Sequence, residues 1–144
     1  MRRARADRGT AILEFALGFT LLWAMLAGVF QFGYPLYIYD SLNSAVADGA
    51  AFASRADFDA SSTATFTTQV KNTVIYGTPA GGGQALVARL TAANVSVTWT
   101  LDGAGVPQTV TVRIVNYPVY AVFKSFTLAN KPACTVRFAG RFLT

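Results

Sequence analysis

From Phe15 to Tyr39 the chain carries no charged side chain, and between Phe15 and Phe30 the only polar one is Thr20. About 20 such residues in a helix cross the roughly 30 Å hydrocarbon core of a bilayer. Lipid offers no partners to backbone N–H and C=O groups, so a lone span of this kind has to be helical. Glu14 stands directly before the run. An ionised acid at the centre of a spanning helix costs roughly 2.5–3.5 kcal/mol on insertion scales, so a carboxylate at the edge of hydrocarbon asks for a counter-charge.

The flanks orient the span. Arg2, Arg3, Arg5 and Arg8 precede it, and no basic residue follows until Arg55. The positive-inside bias therefore predicts a cytoplasmic N-terminus, with everything beyond about Tyr39 outside. The formal charge of +5 is concentrated here: the four arginines and Asp7 supply +3, leaving +2 for the remainder. No basic run or nucleic-acid motif occurs elsewhere, so neither DNA nor RNA is expected as a partner. Histidine is absent and Cys134 is the single cysteine. That removes the commonest general base and metal ligand, and any intramolecular disulfide. Gly81-Gly82-Gly83 lacks the Lys-Ser/Thr that completes a phosphate loop and reads as a flexible connection. The expectation is a protein without catalytic, metal or cofactor sites and without a small-molecule substrate.

Within the span, Ala16, Thr20, Ala24 and Gly28 recur every four residues, a ridge of small side chains over which another helix can approach closely. Phe15, Phe19 and Trp23 form a bulky ridge beside it. A cleaved secretory signal is disfavoured: the small-residue sites Ala45-Val46-Ala47 and Ala51-Phe52-Ala53 lie far beyond the most apolar part, and Tyr34, Tyr37 and Tyr39 between them resemble an interfacial aromatic belt. Pro35 cannot donate to the carbonyl of Gln31, which predicts a kink near Gly33 at the outer interface. Leu42, Ala45, Val46, Gly49, Phe52 and Ala53 continue at helical spacing, so the helix is expected to reach about Arg55 as a stem.

Composition changes after Asp57. Asp57 to Ser62 reads as a loop ending in an N-cap, followed by a short helix with Phe66, Val70, Val74 and Ile75 on one face, broken by Gly77. Val95, Val97, Trp99 and Leu101 then alternate with Ser96, Thr98 and Thr100. Asp102-Gly103-Ala104-Gly105 turns the chain, and Val110, Val112 and Ile114 return it as the second strand of a hairpin. Cys134, Val136, Phe138 and Phe142 alternate with Thr135, Arg137 and Arg141 as a third strand, with Cys134 as a small buried hydrophobe. Tyr117-Pro118-Val119-Tyr120 with Phe123 and Phe126 is a candidate contact surface, half or more of it expected in the core or in a membrane-facing loop. Lys124, Lys131, Arg137 and Arg141 read as a solvated basic face. The predicted fold class is α+β: a long N-terminal transmembrane and stem helix, one short helix, and a three- to four-stranded antiparallel sheet packed on the stem.

Gly9-Thr10-Ala11-Ile12-Leu13-Glu14-Phe15, set between a basic leader and an apolar helix, resembles the type IV prepilin signal, in which an inner-membrane prepilin peptidase cuts after Gly and leaves Glu at the fifth mature position. Gly18-Phe19-Thr20-Leu21-Leu22 imitates such a string, but Trp23 stands where the Glu belongs and the bond lies inside the apolar segment. Glu14-Phe15-Ala16-Leu17, Gln31-Phe32-Gly33, Leu36-Tyr37-Ile38-Tyr39 and Ala45-Val46-Ala47-Asp48-Gly49-Ala50 are similar to the TadE-like family, pseudopilins of the tight-adherence (Tad/Flp) pilus machinery. Gln31 replaces a usual Glu, Tyr34-Pro35 replace an Arg and its neighbour, and Asp48 and Ala51 stand where arginines are common.

The resemblance implies a pilin-like fold divided into a leader (1–9), a transmembrane and stem helix (10–55) and an extracytoplasmic domain (56–144). It further implies cleavage between Gly9 and Thr10, pairing of Glu14 with the new terminal amine of a neighbouring subunit, and residence in a bacterial inner membrane. Implied partners are the prepilin peptidase, other pilins and pseudopilins, and the pilus assembly platform. The competing expectation is an unprocessed single-pass membrane-anchored module that binds another envelope protein.

Overall fold

The computed structural model describes residues 3–121 and 123–143, with side chains from residue 9 onward. Met1 and Arg2 of the expected leader lie outside the described residues, as do the side chains of Arg3, Arg5, Asp7 and Arg8. One helix, α1, runs Arg3–Ala53, 51 residues that continue through Gly33 and Pro35. At 1.5 Å per residue it is about 75 Å long.

The helix has two characters along its length. From Ile12 to Tyr37 its large apolar side chains are exposed. From Ile38 onward Leu42, Ala45, Val46, Ala50 and Ala53 are buried, the three- and four-residue spacing of a face turned to a core. The elements that follow are β1 (Phe58–Asp59), α2 (Thr63–Tyr76), β2 (Val95–Leu101), β3 (Pro107–Ile114), β4 (Tyr117–Tyr120), β5 (Ser125–Leu128), β6 (Ala133–Arg137) and β7 (Phe142–Leu143), and α2, β3, β4 and β6 lie against α1.

The short helix forms as its pattern predicts. Phe66, Val70, Val74 and Ile75 are buried together with Thr73, whose hydroxyl donates to the Gln69 carbonyl at 2.8 Å. Gly77 ends α2 at φ 76°, a left-handed conformation that glycine adopts without a Cβ penalty, and its N–H donates to the Thr73 carbonyl at 2.9 Å.

The main sheet is antiparallel in the order β2-β3-β6. Its register sets Val95 opposite Ile114, Val97 opposite Val112 and Trp99 opposite Val110, then Val110 opposite Val136 and Val112 opposite Cys134. These residues share the face laid on α1 and α2. The other face is hydroxyl-rich: the Thr100 and Thr109 hydroxyls lie 2.6 Å apart and those of Thr111 and Thr135 2.8 Å apart. The predicted turn is tied by Asp102, whose carboxylate accepts from the Ala104 and Val106 N–H groups at 2.9 and 2.8 Å. The α+β class with a long N-terminal helix, one short helix and antiparallel sheet holds.

Three local expectations are corrected. The third strand ends at Arg137 and does not run on to Phe142, because the chain is drawn off the sheet toward the stem: Ala139 N–H donates to the Ser54 carbonyl at 2.8 Å. Phe142 then pairs in parallel with Phe58, so the expected loop Asp57 to Ser62 contains a short strand. Aromatic packing explains the detour. Phe58 has ring centroids of Phe66, Trp99, Phe138 and Phe142 at 5.2, 5.4, 6.1 and 6.3 Å, a cluster sealing the end of the core. Cys134 is half-buried at the edge of the core, because its strand is an edge strand of the sheet.

Candidate membrane and assembly interface

The uncovered half of α1 is built from the residues that the spacing singled out. Gly9 and Thr10 lie within the helix and are exposed, and Glu14 follows one turn after Thr10. Among the described residues the Glu14 carboxylate has no ion-pair or hydrogen-bond partner. Its carboxylate thus opens the apolar surface with no described cation beside it.

Ala16, Thr20 and Ala24 are exposed and Gly28 is half-exposed, and a Cβ added at Gly28 would meet nothing within 4 Å. The ridge is open to an incoming helix. Thr20 is its one polar member, and its hydroxyl donates to the Ala16 carbonyl at 2.7 Å, so its polar group is satisfied along the helix. Beside it Phe15 stacks on Phe19 and Phe19 on Trp23, with centroids 6.0 and 6.5 Å apart. Gly33 is exposed and Pro35 half-buried, two residues apart at the passage from the bare half to the buried stem.

The fold brings one further residue into this region. β4 and β5 pair as an antiparallel hairpin, and Gln31 Oε1 accepts the Phe123 N–H of its turn at 2.9 Å, tying the hairpin to α1 across 92 positions of sequence. The predicted aromatic surface divides here: Tyr117 and Val119 are buried, whereas Tyr120, Phe123 and Phe126 are exposed. Tyr117 Oη donates to the Ala88 carbonyl at 2.6 Å, and the Arg89 guanidinium lies 4.9 Å from the Tyr120 ring centroid. A cleft between Tyr34 of α1 and Arg89, Tyr117 and Tyr120 completes the junction. The sequence held one signal for this contact: Gln31 is the only side-chain amide between Phe15 and Tyr39, and an amide in apolar surroundings requires a partner. The predicted basic residues are exposed but spread over separate elements, with Lys124 in the hairpin turn and Arg137 on β6.

At Gly49 the stem meets α2. A Cβ built there would overlap a methyl group of Val74, so glycine is what lets the two helices approach. Among the described residues no group of three His, Cys, Asp or Glu side chains is placed to hold a metal ion.

One helix is long and apolar enough to cross a membrane, bare along its first half and packed into an α+β domain along its second, an arrangement consistent with single-pass anchoring. Residues 9–51 match the model of the family TadE-like protein, so over this segment the chain is similar to TadE-like proteins. The match takes in Glu14, the small-residue ridge, Gln31 and Gly49, and stops two residues before α1 ends. No curated protein and no solved structure matches the chain.

Proposed function

We propose that the chain is a minor pseudopilin of Tad/Flp-type pilus assembly, inserted N-terminus-in in a bacterial inner membrane and trimmed after Gly9 by a prepilin peptidase. The observation that carries this reading is a single carboxylate, Glu14, at the head of an uncovered apolar helix within a TadE-like segment. Cleavage would free an ammonium at Thr10, four residues from Glu14. At an effective dielectric of about 20, opposite charges 4 Å apart attract by roughly 4 kcal/mol, comparable to the cost of holding the acid near lipid. Pairing between neighbouring subunits would therefore fix the axial register of one helix against the next. The open ridge Ala16, Thr20, Ala24, Gly28 offers the surface along which such helices pack, and Gly33 with Pro35 supplies the point at which the outer domain is redirected relative to the bundle. Its partners are then the peptidase, other pilins and pseudopilins, and the assembly platform. The size of the outer domain favours a minor over a major subunit.

N-terminal sequencing of the membrane form is expected to begin at Thr10. Glu14→Gln is expected to leave membrane insertion unchanged and to reduce pilus output at least tenfold, since neutralising the acid removes the pairing charge. Mature protein beginning at Met1 in cells with an active peptidase, together with normal piliation by the Glu14→Gln strain, would establish the unprocessed anchored module instead.

A further inference from the structure

The β4–β5 hairpin sits at a height along α1 that the bilayer reaches. Gln31 lies 17 residues beyond Glu14, which at 1.5 Å per residue is about 26 Å along the axis. With Glu14 at one boundary of a hydrocarbon core about 30 Å thick, Gln31 falls just inside the other boundary, which is reached near Tyr34. The Phe123 N–H is bonded to the Gln31 side chain at that height.

Three features of the hairpin match a lipid surface in particular. Phe123 is 74% exposed, Tyr120 54% and Phe126 42%, three aromatic side chains around one turn; tyrosine gathers at bilayer interfaces, and phenylalanine buries at the boundary of headgroups and acyl chains. Irregular backbone at membrane depth has to be satisfied within the protein, and the turn gives the Phe123 N–H to Gln31 and the Ala121 N–H to the Lys124 carbonyl at 3.2 Å. Cations flank the aromatics: Lys124 is exposed next to Phe123, and Arg89 lies over the Tyr120 ring. Long basic side chains of this kind carry their charge up to phosphate headgroups while their stems lie in the apolar region. The hairpin turn is bonded to α1, the helix of spanning length.

We infer that the turn of the β4–β5 hairpin is a second membrane contact, with Phe123 inserted into the leaflet on the domain's side and Lys124 and Arg89 set at its phosphate level. The hairpin and α1 then grip the bilayer together and hold the domain close to the lipid surface at a fixed tilt. This rests on the reading of α1 as a membrane span.

The test is site-directed spin labelling of the full chain in vesicles of phosphatidylethanolamine and phosphatidylglycerol, in a Cys134→Ala background. Labels are placed one at a time at Trp23→Cys in the span, Phe123→Cys in the hairpin and Gly103→Cys in the distant β2–β3 turn. Collision with oxygen, which concentrates in lipid, is compared with collision with a water-soluble nickel chelate. At 23 and 123 the oxygen-to-nickel accessibility ratio is expected to exceed that at 103 severalfold. A label at 123 as open to nickel as the one at 103, while 23 reports lipid, overturns the hairpin contact and leaves the span intact. A label at 123 shielded from both reagents also overturns it, in favour of coverage by a second copy of the chain. A water-exposed label at 23 overturns the span, and the hairpin contact with it.

Discussion

Asp59 shows how a single side chain in this fold is fixed by neighbours two residues away. Its carboxylate accepts from the Ser61 hydroxyl at 2.6 Å and from the Ser61 N–H at 2.8 Å. Both bonds favour the charged form, and the Ser61 hydroxyl contributes most to holding the carboxyl below its ordinary range. A depressed folded value means that the stabilisation is complete above the unfolded value and is lost as pH falls through the folded one. Ser61→Ala is therefore expected to raise the Asp59 carboxyl part of the way back, the backbone donor remaining, and to move the acid limb of the stability curve to higher pH. An NMR titration of the Asp59 carboxyl carbon checks this, and an unmoved midpoint would refute it. Glu14 is the contrasting residue. Sequence position alone marks it, since the meaning of an acid at the edge of an apolar run does not depend on how the remaining chain folds.

Helices and strands in this chain follow their periodicity wherever one face is buried and the other is not. The α2 face Phe66, Val70, Val74, Ile75 and the β2–β3 hairpin were legible because three- to four-residue and two-residue spacings are unambiguous there. Periodicity fails where strands are short and partners distant. The two-residue β1 and β7 have no pattern of their own and exist because Phe58 and Phe142 enter one aromatic cluster. Glycines on α1 separate these regimes. Gly49→Ala sets a methyl group against Val74, whose β-branched side chain has little rotamer freedom. Overpacking of about 1–3 kcal/mol then outweighs a helix-propensity gain of up to about 1 kcal/mol. Gly28→Ala meets nothing within 4 Å, so the propensity gain of about 1 kcal/mol stands alone in the isolated chain. Chemical denaturation in detergent is expected to give opposite signs for the two variants. Equal effects would show that α2 does not approach at Gly49.

As a whole the molecule is one helix with a bare apolar half and a half packed into an α+β domain. The core of the α+β domain is completed by the stem through Ile38, Leu42, Val46, Ala50 and Ala53, all buried. A fragment of residues 36–144 is accordingly expected to unfold cooperatively on heating, followed by circular dichroism. A fragment of residues 56–144, which exposes Val70, Val74, Val110 and Val112 where the stem had covered them, should lose that transition. A cooperative transition in the shorter fragment would show that the stem is dispensable to the core. The sequence by itself determined the helix of spanning length, the acid at its head, the small-residue ridge and the strand faces. Each follows from a property local to a few turns of chain: apolarity, charge, side-chain size or alternation. Only the tertiary structure decided the rest, namely that Gln31 receives the hairpin 92 residues away, that Gly49 admits α2, and that the last strand leaves the main sheet to pair with Phe58. Those contacts join residues far apart in sequence, and which partners meet is settled by the packing of the complete core.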